Sequence, residues 1–204
     1  GLGGGEPARH CQAVALIGLQ EYGEAATRLE EMAEDSREST VVRAGLLGQA
    51  GQAWLLEGKL ERAYAAQTTA LDLLPLIDQH RIAVLIDRAE TLAAARNYWE
   101  SIDDLNDVIA ADPDNSDALA FRASAYRYVD APELAMEDAN RALKAAPDNA
   151  SALLERGILY QMNNEKAAAR QDWLKAIQLA PDSSAADAAR ANIEKLDVNV
   201  EAQP

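Results

Sequence analysis

Three short strings decide the fold of this chain: Pro113-Asp114-Asn115, Pro147-Asp148-Asn149 and Pro181-Asp182-Ser183. The three prolines are spaced 34 residues apart, and a fixed period of this length is the sequence signature of a repeat architecture. Other residues recur at the same step, in four further columns: Leu85, Leu119 and Leu153; Arg88, Arg122 and Arg156; Leu92, Tyr126 and Tyr160; Ser101, Ala135 and Ala169. So many columns in one register indicate a repeated structural unit.

Each unit has the pattern of two helices. Leu119, Ala123 and Tyr126 fall at i, i+4 and i+7, which places them on one stripe of a helix. Pro132 suits the start of a second helix, where a missing N–H costs nothing, and Pro147 ends that helix. The small residues at positions 8 and 20 of the unit allow the two helices to approach closely.

This pattern resembles the tetratricopeptide repeat (TPR) family, whose unit has the same period and consists of a helix, a tight turn and a second helix. We expect a bacterial member of it. The resemblance implies an all-α fold, a right-handed superhelical solenoid of about five helix-turn-helix units that ends in a capping helix.

The columns divide the chain into units at 6–39, 44–77, 82–115, 116–149 and 150–183, preceded by a flexible leader (1–5) and followed by a capping helix (184–196) and a flexible tail (197–204). Four extra residues follow each of the first two units, and four residues make about one helical turn. We therefore expect the first helices near 40–57 and 78–96 to be one turn longer than those near 116–129 and 150–163.

Composition and charge exclude several functions. The chain has 43 Ala and one Phe, which favours closely packed helices because Ala has the highest helix propensity. The formal net charge is −15 and Lys and Arg form no cluster, so we expect neither nucleic-acid binding nor attraction to an anionic membrane. No apolar run is long enough for direct membrane insertion. The chain begins with Gly1 rather than Met, which leaves the cytoplasm and export to the periplasm, after removal of a signal, both open.

A search for catalytic chemistry finds none. His10 and Cys11 are adjacent, but neighbours on a helix point about 100° apart and do not face each other. We read Cys11 as a small buried hydrophobic residue of the first helix. The acidic residues from Asp112 to Asp117 lack the Gly and Glu that a calcium loop requires. We therefore predict no catalytic residue, no metal and no cofactor, and the chain is not expected to be an enzyme.

Two sets of charged residues invite a functional interpretation. The recurrent Arg88, Arg122 and Arg156 could bind anions, but we favour structural ion pairs, with Asp87 and Glu155 as partners for two of them. A cluster of carboxylates lies on a second helix, which faces the outside of such an array: Glu100, Asp103, Asp104 and Asp107. We expect these four to be solvated rather than to form a partner site.

The resemblance implies that the first helices line a concave groove that holds an extended peptide or a partner helix. The groove residues predicted here are Gln52, Leu55, Leu56, Ile86, Glu90, Ala94, Asp117, Phe121, Ser124, Arg127, Tyr128, Leu154, Ile158, Gln161 and Met162. None is Lys, so the Lys-rich clamp that some family members use for a chaperone's C-terminal carboxylate is not expected.

Two functions remain open. The first is a non-catalytic scaffold that binds a protein or peptide in the groove. The alternative is a structural subunit of a fixed homo- or hetero-oligomeric assembly, with self-association through the N-terminal repeat.

Overall fold

The structure is a computed structural model that describes residues 6–75 and 79–201. The predicted leader lies outside these ranges. The described residues form eleven helices and no strand: α1 Glu6–Gly18, α2 Tyr22–Asp35, α3 Thr40–Leu56, α4 Leu60–Leu73, α5 Arg81–Ala94, α6 Tyr98–Ala111, α7 Ser116–Tyr128, α8 Pro132–Ala145, α9 Ala150–Met162, α10 Lys166–Leu179 and α11 Ser184–Glu201. Consecutive helices pair as hairpins, and the fold is the all-α helical repeat solenoid that the sequence predicts.

Each of the five hairpins turns on one residue in the left-handed region: Gln20, Gly58, Arg96, Asp130 and Asn164, with φ from 59° to 75°. The next residue donates its backbone N–H to the carbonyl five residues earlier, as Lys59 does to Trp54 at 2.9 Å. This is the Schellman motif, which satisfies carbonyls at the end of the first helix. The turn residues recur with the period of the repeat, except that the first two intervals between them are each four residues longer.

The two extensions have different structures. The first lengthens α3, which has 17 residues where α7 and α9 have 13, as predicted. The second does not lengthen α5, which has 14 residues, so that prediction is wrong. Ser39 caps α3 by accepting a hydrogen bond from Val42 N. In the sequence, the equivalent residue before the next first helix is Ile77, whose side chain has no oxygen that could accept such a bond.

The two helices of a hairpin meet at positions 8 and 24 of the unit, and the residues at these positions match in size. Gly157 lies against Trp173, and a Cβ on this glycine would overlap Trp173 Nε1. Gly51 lies against Gln67 in the same way, with a Cβ 2.5 Å from Gln67 Cγ. In α7 and α8 the smaller pair Ala123 and Ala139 fills the equivalent place in a fully buried cluster. In the hairpins with Trp173 and Gln67 on the second helix, the first helix thus has glycine at the contact.

The chain divides into two compact units, 1–104 and 105–204. In the first, a cluster centred on Leu29, Met32 and Leu46 joins α1, α2 and α3. In the second, α11 packs on α9 and α10 and buries Ala186 and Leu196. This last helix continues to Glu201, whereas the sequence pattern predicts its end at 196 and a flexible tail over 197–204, of which 202–204 lie outside the described residues. Arg170 of α10 forms an ion pair with Asp197 in this added part.

We predict that Gly157→Ala lowers the free energy of unfolding by about 1–3 kcal/mol, because the new methyl group overpacks the contact with Trp173. Gly45→Ala is the matched control, since nothing lies within 4 Å of its Cβ position in α3. It should stabilise by about 0.5–1 kcal/mol through helix propensity alone. Urea unfolding of both variants measures the difference, and an equal effect at the two sites would show that the close contact is unimportant.

Candidate functional site

The recurrent arginines form ion pairs within their own hairpins. Each binds both oxygens of an aspartate 16 residues later, with shortest N–O distances of 2.7 Å: Arg88 with Asp104, Arg122 with Asp138 and Arg156 with Asp172. The hydrogen bonds that Arg88 donates to Asp104 raise the pKa of Arg88, against the opposing effect of burial. The preference for structural pairing over anion binding is therefore correct.

The same arginines also reach the preceding hairpin. The Nη1 atoms donate to Thr68 Oγ1 at 3.2 Å, Asn106 Oδ1 at 2.7 Å and Asn140 Oδ1 at 3.3 Å, in the order of the chain. Each guanidinium thus ties together three helices. These contacts are structural.

The predicted partners Asp87 and Glu155 are wrong, and so is the expectation that Asp104 is solvated. Asp104 is 6% exposed and held by Arg88, while its neighbours Glu100, Asp103 and Asp107 are exposed as expected. The sequence does carry a signal for the correct partners, since Asp104, Asp138 and Asp172 recur with the same 34-residue step as the arginines. An i, i+16 pairing becomes visible only when both columns are compared.

The predicted groove residues of the second unit lie on α7 and α9, which pack side by side, and are called its groove face here. All nine groove residues predicted here are exposed or half-buried: Asp117, Phe121, Ser124, Arg127, Tyr128, Leu154, Ile158, Gln161 and Met162. Tyr128 and Met162 are 55% and 54% exposed. Five of the nine are apolar or aromatic: Phe121, Tyr128, Leu154, Ile158 and Met162.

Arg127 has a structural contact that the sequence analysis missed. Its Nε and Nη2 atoms bind the two oxygens of Glu155, at 2.8 and 3.2 Å, and so join α7 to α9. Its guanidinium also stacks on the ring of Tyr128 at 4.3 Å and lies 3.5 Å from Ser124 Oγ. Asp117 in turn accepts a hydrogen bond from Asn149 at 2.8 Å. The charged members of the face are thus held in place by the fold, and Tyr128 is held in place by Arg127.

The predicted groove residues of the first unit, its groove face, lie on α3 and α5, which also contact each other. Gln52, Leu55, Ile86 and Glu90 are half-buried, and Leu56 and Ala94 are exposed. Gln52 Oε1 is buried without a hydrogen-bond partner among the described residues. Beside these residues lies Asp87, half-buried, which the groove prediction did not include.

Asp87 has an unusual environment. Burial raises its pKa from 3.8 to about 7, and the negative charge of Glu90 contributes. Among the described residues no Lys or Arg side chain forms an ion pair with Asp87. A carboxylate with these properties is a feature that composition and spacing do not reveal.

Solved structures with this arrangement of helices are TPR proteins. TTC0263 from Thermus thermophilus is 16% identical, with a TM-score of 0.74 over 95% of this chain and 99% of that one. MamA (41-end) from Desulfovibrio magneticus RS-1 is 19% identical, with a TM-score of 0.68 over 90% and 99%. YrrB, described as a TPR protein with an unusual peptide-binding site, is 17% identical, with a TM-score of 0.58 over 88% of both chains. The chain has the TPR fold. No protein family model and no curated protein matches its sequence.

The first helix of this TPR array differs from its sequence interpretation. Cys11 is exposed rather than buried, because Ala13 occupies the buried side of α1. His10 forms a hydrogen bond of 2.8 Å with Gln49 of α3. His10 and Gln49 line a cavity of about 410 Å³ that Met32 and Leu46 make largely apolar. This cavity lies in the first unit, and nothing in the sequence indicates it.

Two further properties of the described residues bear on function. None of their helices combines the length and apolar character that a membrane span requires. Within residues 6–75 and 79–201, His, Cys, Asp and Glu side chains nowhere converge in threes as metal ligands do.

We predict that Asp104→Ala destabilises the protein by about 2–4 kcal/mol, because it leaves Arg88 desolvated and without its carboxylate. The double variant Arg88→Ala with Asp104→Ala should recover much of this loss. The chain itself provides the precedent, since Ala50 and Ala66 occupy the equivalent positions in α3 and α4 and are buried. Urea unfolding of the single and double variants tests this, and a double variant that is less stable than the single one would contradict it.

A second prediction concerns Asp87. Its pKa is higher in the fold than the ordinary 3.8, so ionisation destabilises the folded state progressively as pH rises from about 4 to about 7. Asp87→Asn should therefore raise Tm relative to the parent, by a margin that grows from pH 5 to pH 8. Asp103→Asn makes the same charge change at an exposed site of α6, and its margin should stay constant. A constant margin for Asp87→Asn as well would show that this carboxyl ionises normally.

Proposed function

We propose that the chain is a non-catalytic scaffold for protein–protein interaction, and that it binds a peptide or a helix of its partner on the groove faces of the first helices. The observation that carries this proposal is the exposure of large apolar side chains on these faces. Leu56, Tyr128 and Met162 share position 13 of their units and are 52%, 55% and 54% exposed. Exposed apolar residues at one repeated position are typical of an interaction surface.

The second unit offers the better anchor. Arg127 stacks on Tyr128 and is itself fixed by Glu155, so the aromatic ring loses little conformational entropy when a partner covers it. Phe121 lies on the same helix and is half-buried. The similarity to YrrB supports peptide binding as the mode, because that protein has the same fold and is described by its peptide-binding site.

A structural subunit is the second candidate, and exposed apolar residues outside α3, α5, α7 and α9 favour it. In the first hairpin Val14 is 49% exposed and Leu19 is 69% exposed, which suits self-association through the N-terminal repeat. Trp99 on α6 is 63% exposed. The mass in solution distinguishes the two functions, since a free scaffold is monomeric at micromolar concentration and a self-associating subunit is not.

We predict that the double change Phe121→Ala and Tyr128→Ala abolishes the binding of peptides selected by the parent protein from a random peptide library. Because Phe121 is only half-buried and Tyr128 is exposed, helical content and Tm should change little. Fluorescence titration with the selected peptides measures the effect.

The matched control is Leu134→Ala with Leu174→Ala, which removes two side chains of similar exposure, 48% and 52%, from second helices. It should leave binding unchanged. If the control abolishes binding and the groove variant does not, the site lies on the second helices.

A further inference from the structure

Each of the two units has a carboxylate at the same position of its groove face, but the surroundings of the two carboxylates differ. Glu155 and Asp87 both occupy position 6 of their units, on α9 and α5. Glu155 is bound through both oxygens by Arg127, which stands at position 12 of the preceding first helix. The equivalent residue before Asp87 is Leu55, an apolar side chain that cannot form this pair. The first unit therefore lacks the arginine that the second unit supplies from within.

The surroundings of Asp87 are prepared for such a cation. Leu55 and Ile86 are half-buried and reduce the exposure of the face to water, which strengthens any charge pair formed there. Gln52 Oε1, on α3, is a buried acceptor that receives no hydrogen bond from the described residues. Glu90 adds negative charge close to Asp87. Asp87 thus lies on a partly apolar face, and among the described residues no guanidinium forms an ion pair with it.

We propose that the first unit binds an extended peptide segment of its partner that carries an arginine beside an apolar residue, and that this arginine occupies at Asp87 the place that Arg127 occupies at Glu155. The proposal rests on the proposed function and specifies the chemistry of the partner. Arginine fits better than lysine because its planar group matches two carboxylate oxygens, as the Arg127 pair shows. The apolar neighbour would cover Leu56, which is 52% exposed. The net charge of −15 also favours a basic partner.

Three pools of random nonapeptides, acetylated and amidated at their ends, provide the test. Their central residue is arginine, citrulline or lysine, and citrulline has nearly the shape of arginine without its charge. The peptides retained by the immobilised full chain are sequenced, and the most enriched ones are titrated. We expect about tenfold tighter binding for arginine than for citrulline, as a charge-assisted pair provides. The preference should disappear in Asp87→Asn and persist in Asp103→Asn.

A second variant tests the geometry without any ligand. Leu55→Arg supplies the missing arginine from within the chain and should raise Tm in the parent but not in the Asp87→Asn background. It should also remove the preference for arginine peptides, because the carboxylate is already occupied. If Leu55→Arg gives the same Tm change in both backgrounds, Asp87 does not accept an arginine from this direction and the proposal fails.

The outcomes separate this proposal from the proposed function. Peptides that bind without preference for arginine, or whose preference survives Asp87→Asn, overturn the inference and leave the scaffold function intact. If none of the three pools binds, peptide binding by this chain is itself overturned, whatever the Leu55→Arg variant shows.

Discussion

The close approach of the two helices in each hairpin is the constraint on which the rest of this structure depends. Gly157 and Gly51 bring the first helix so near the second that Trp173 and Gln67 lie where a Cβ would be. In the first complete hairpin of the second unit, Ala123 and Ala139 achieve the same with two small residues. Because interiors are packed as densely as organic crystals, each such pair must match in size. The repeat therefore varies in its residues while the contact between helices stays closed.

That closeness determines how charge is placed. Where helices are in contact, arginine at position 7 and aspartate at position 23 lose most of their water and must satisfy each other, as Arg122 and Asp138 do. The third hydrogen bond of Arg122, to Asn106, extends the contact to the preceding helix. Polar contacts of this kind fix the second helices and the buried side of the first. The groove faces carry, in addition, exposed apolar side chains such as Leu56 and Met162.

Function in a repeat array arises from departures from the shared pattern, and position 6 illustrates this. Glu155 has a structural role, because its ion pair with Arg127 joins α9 to α7. Asp87, at the same position, remains without a cation among the described residues and is destabilised by burial. A group that costs stability in the free protein is one that a partner can stabilise on binding. The two units thus offer different surfaces, an aromatic one beside Tyr128 and an acidic one beside Asp87.

The sequence by itself determined the repeat, its helical hairpins and the small residues between them. The reason is that a fixed period is a property of neighbouring helices, and a stripe such as Leu119, Ala123 and Tyr126 is a property of a single helix. It also indicated that Arg88 and its equivalents are structural. Only the tertiary structure decided their partners, since Asp104 reaches Arg88 through the folding back of α6 on α5. The same holds for Asp87, whose pKa is raised mainly by its burial in the folded chain, with a contribution from Glu90. Periodicity shows which face of a helix a residue occupies, whereas burial, pairing and charge depend on the atoms that the other helices bring to that face.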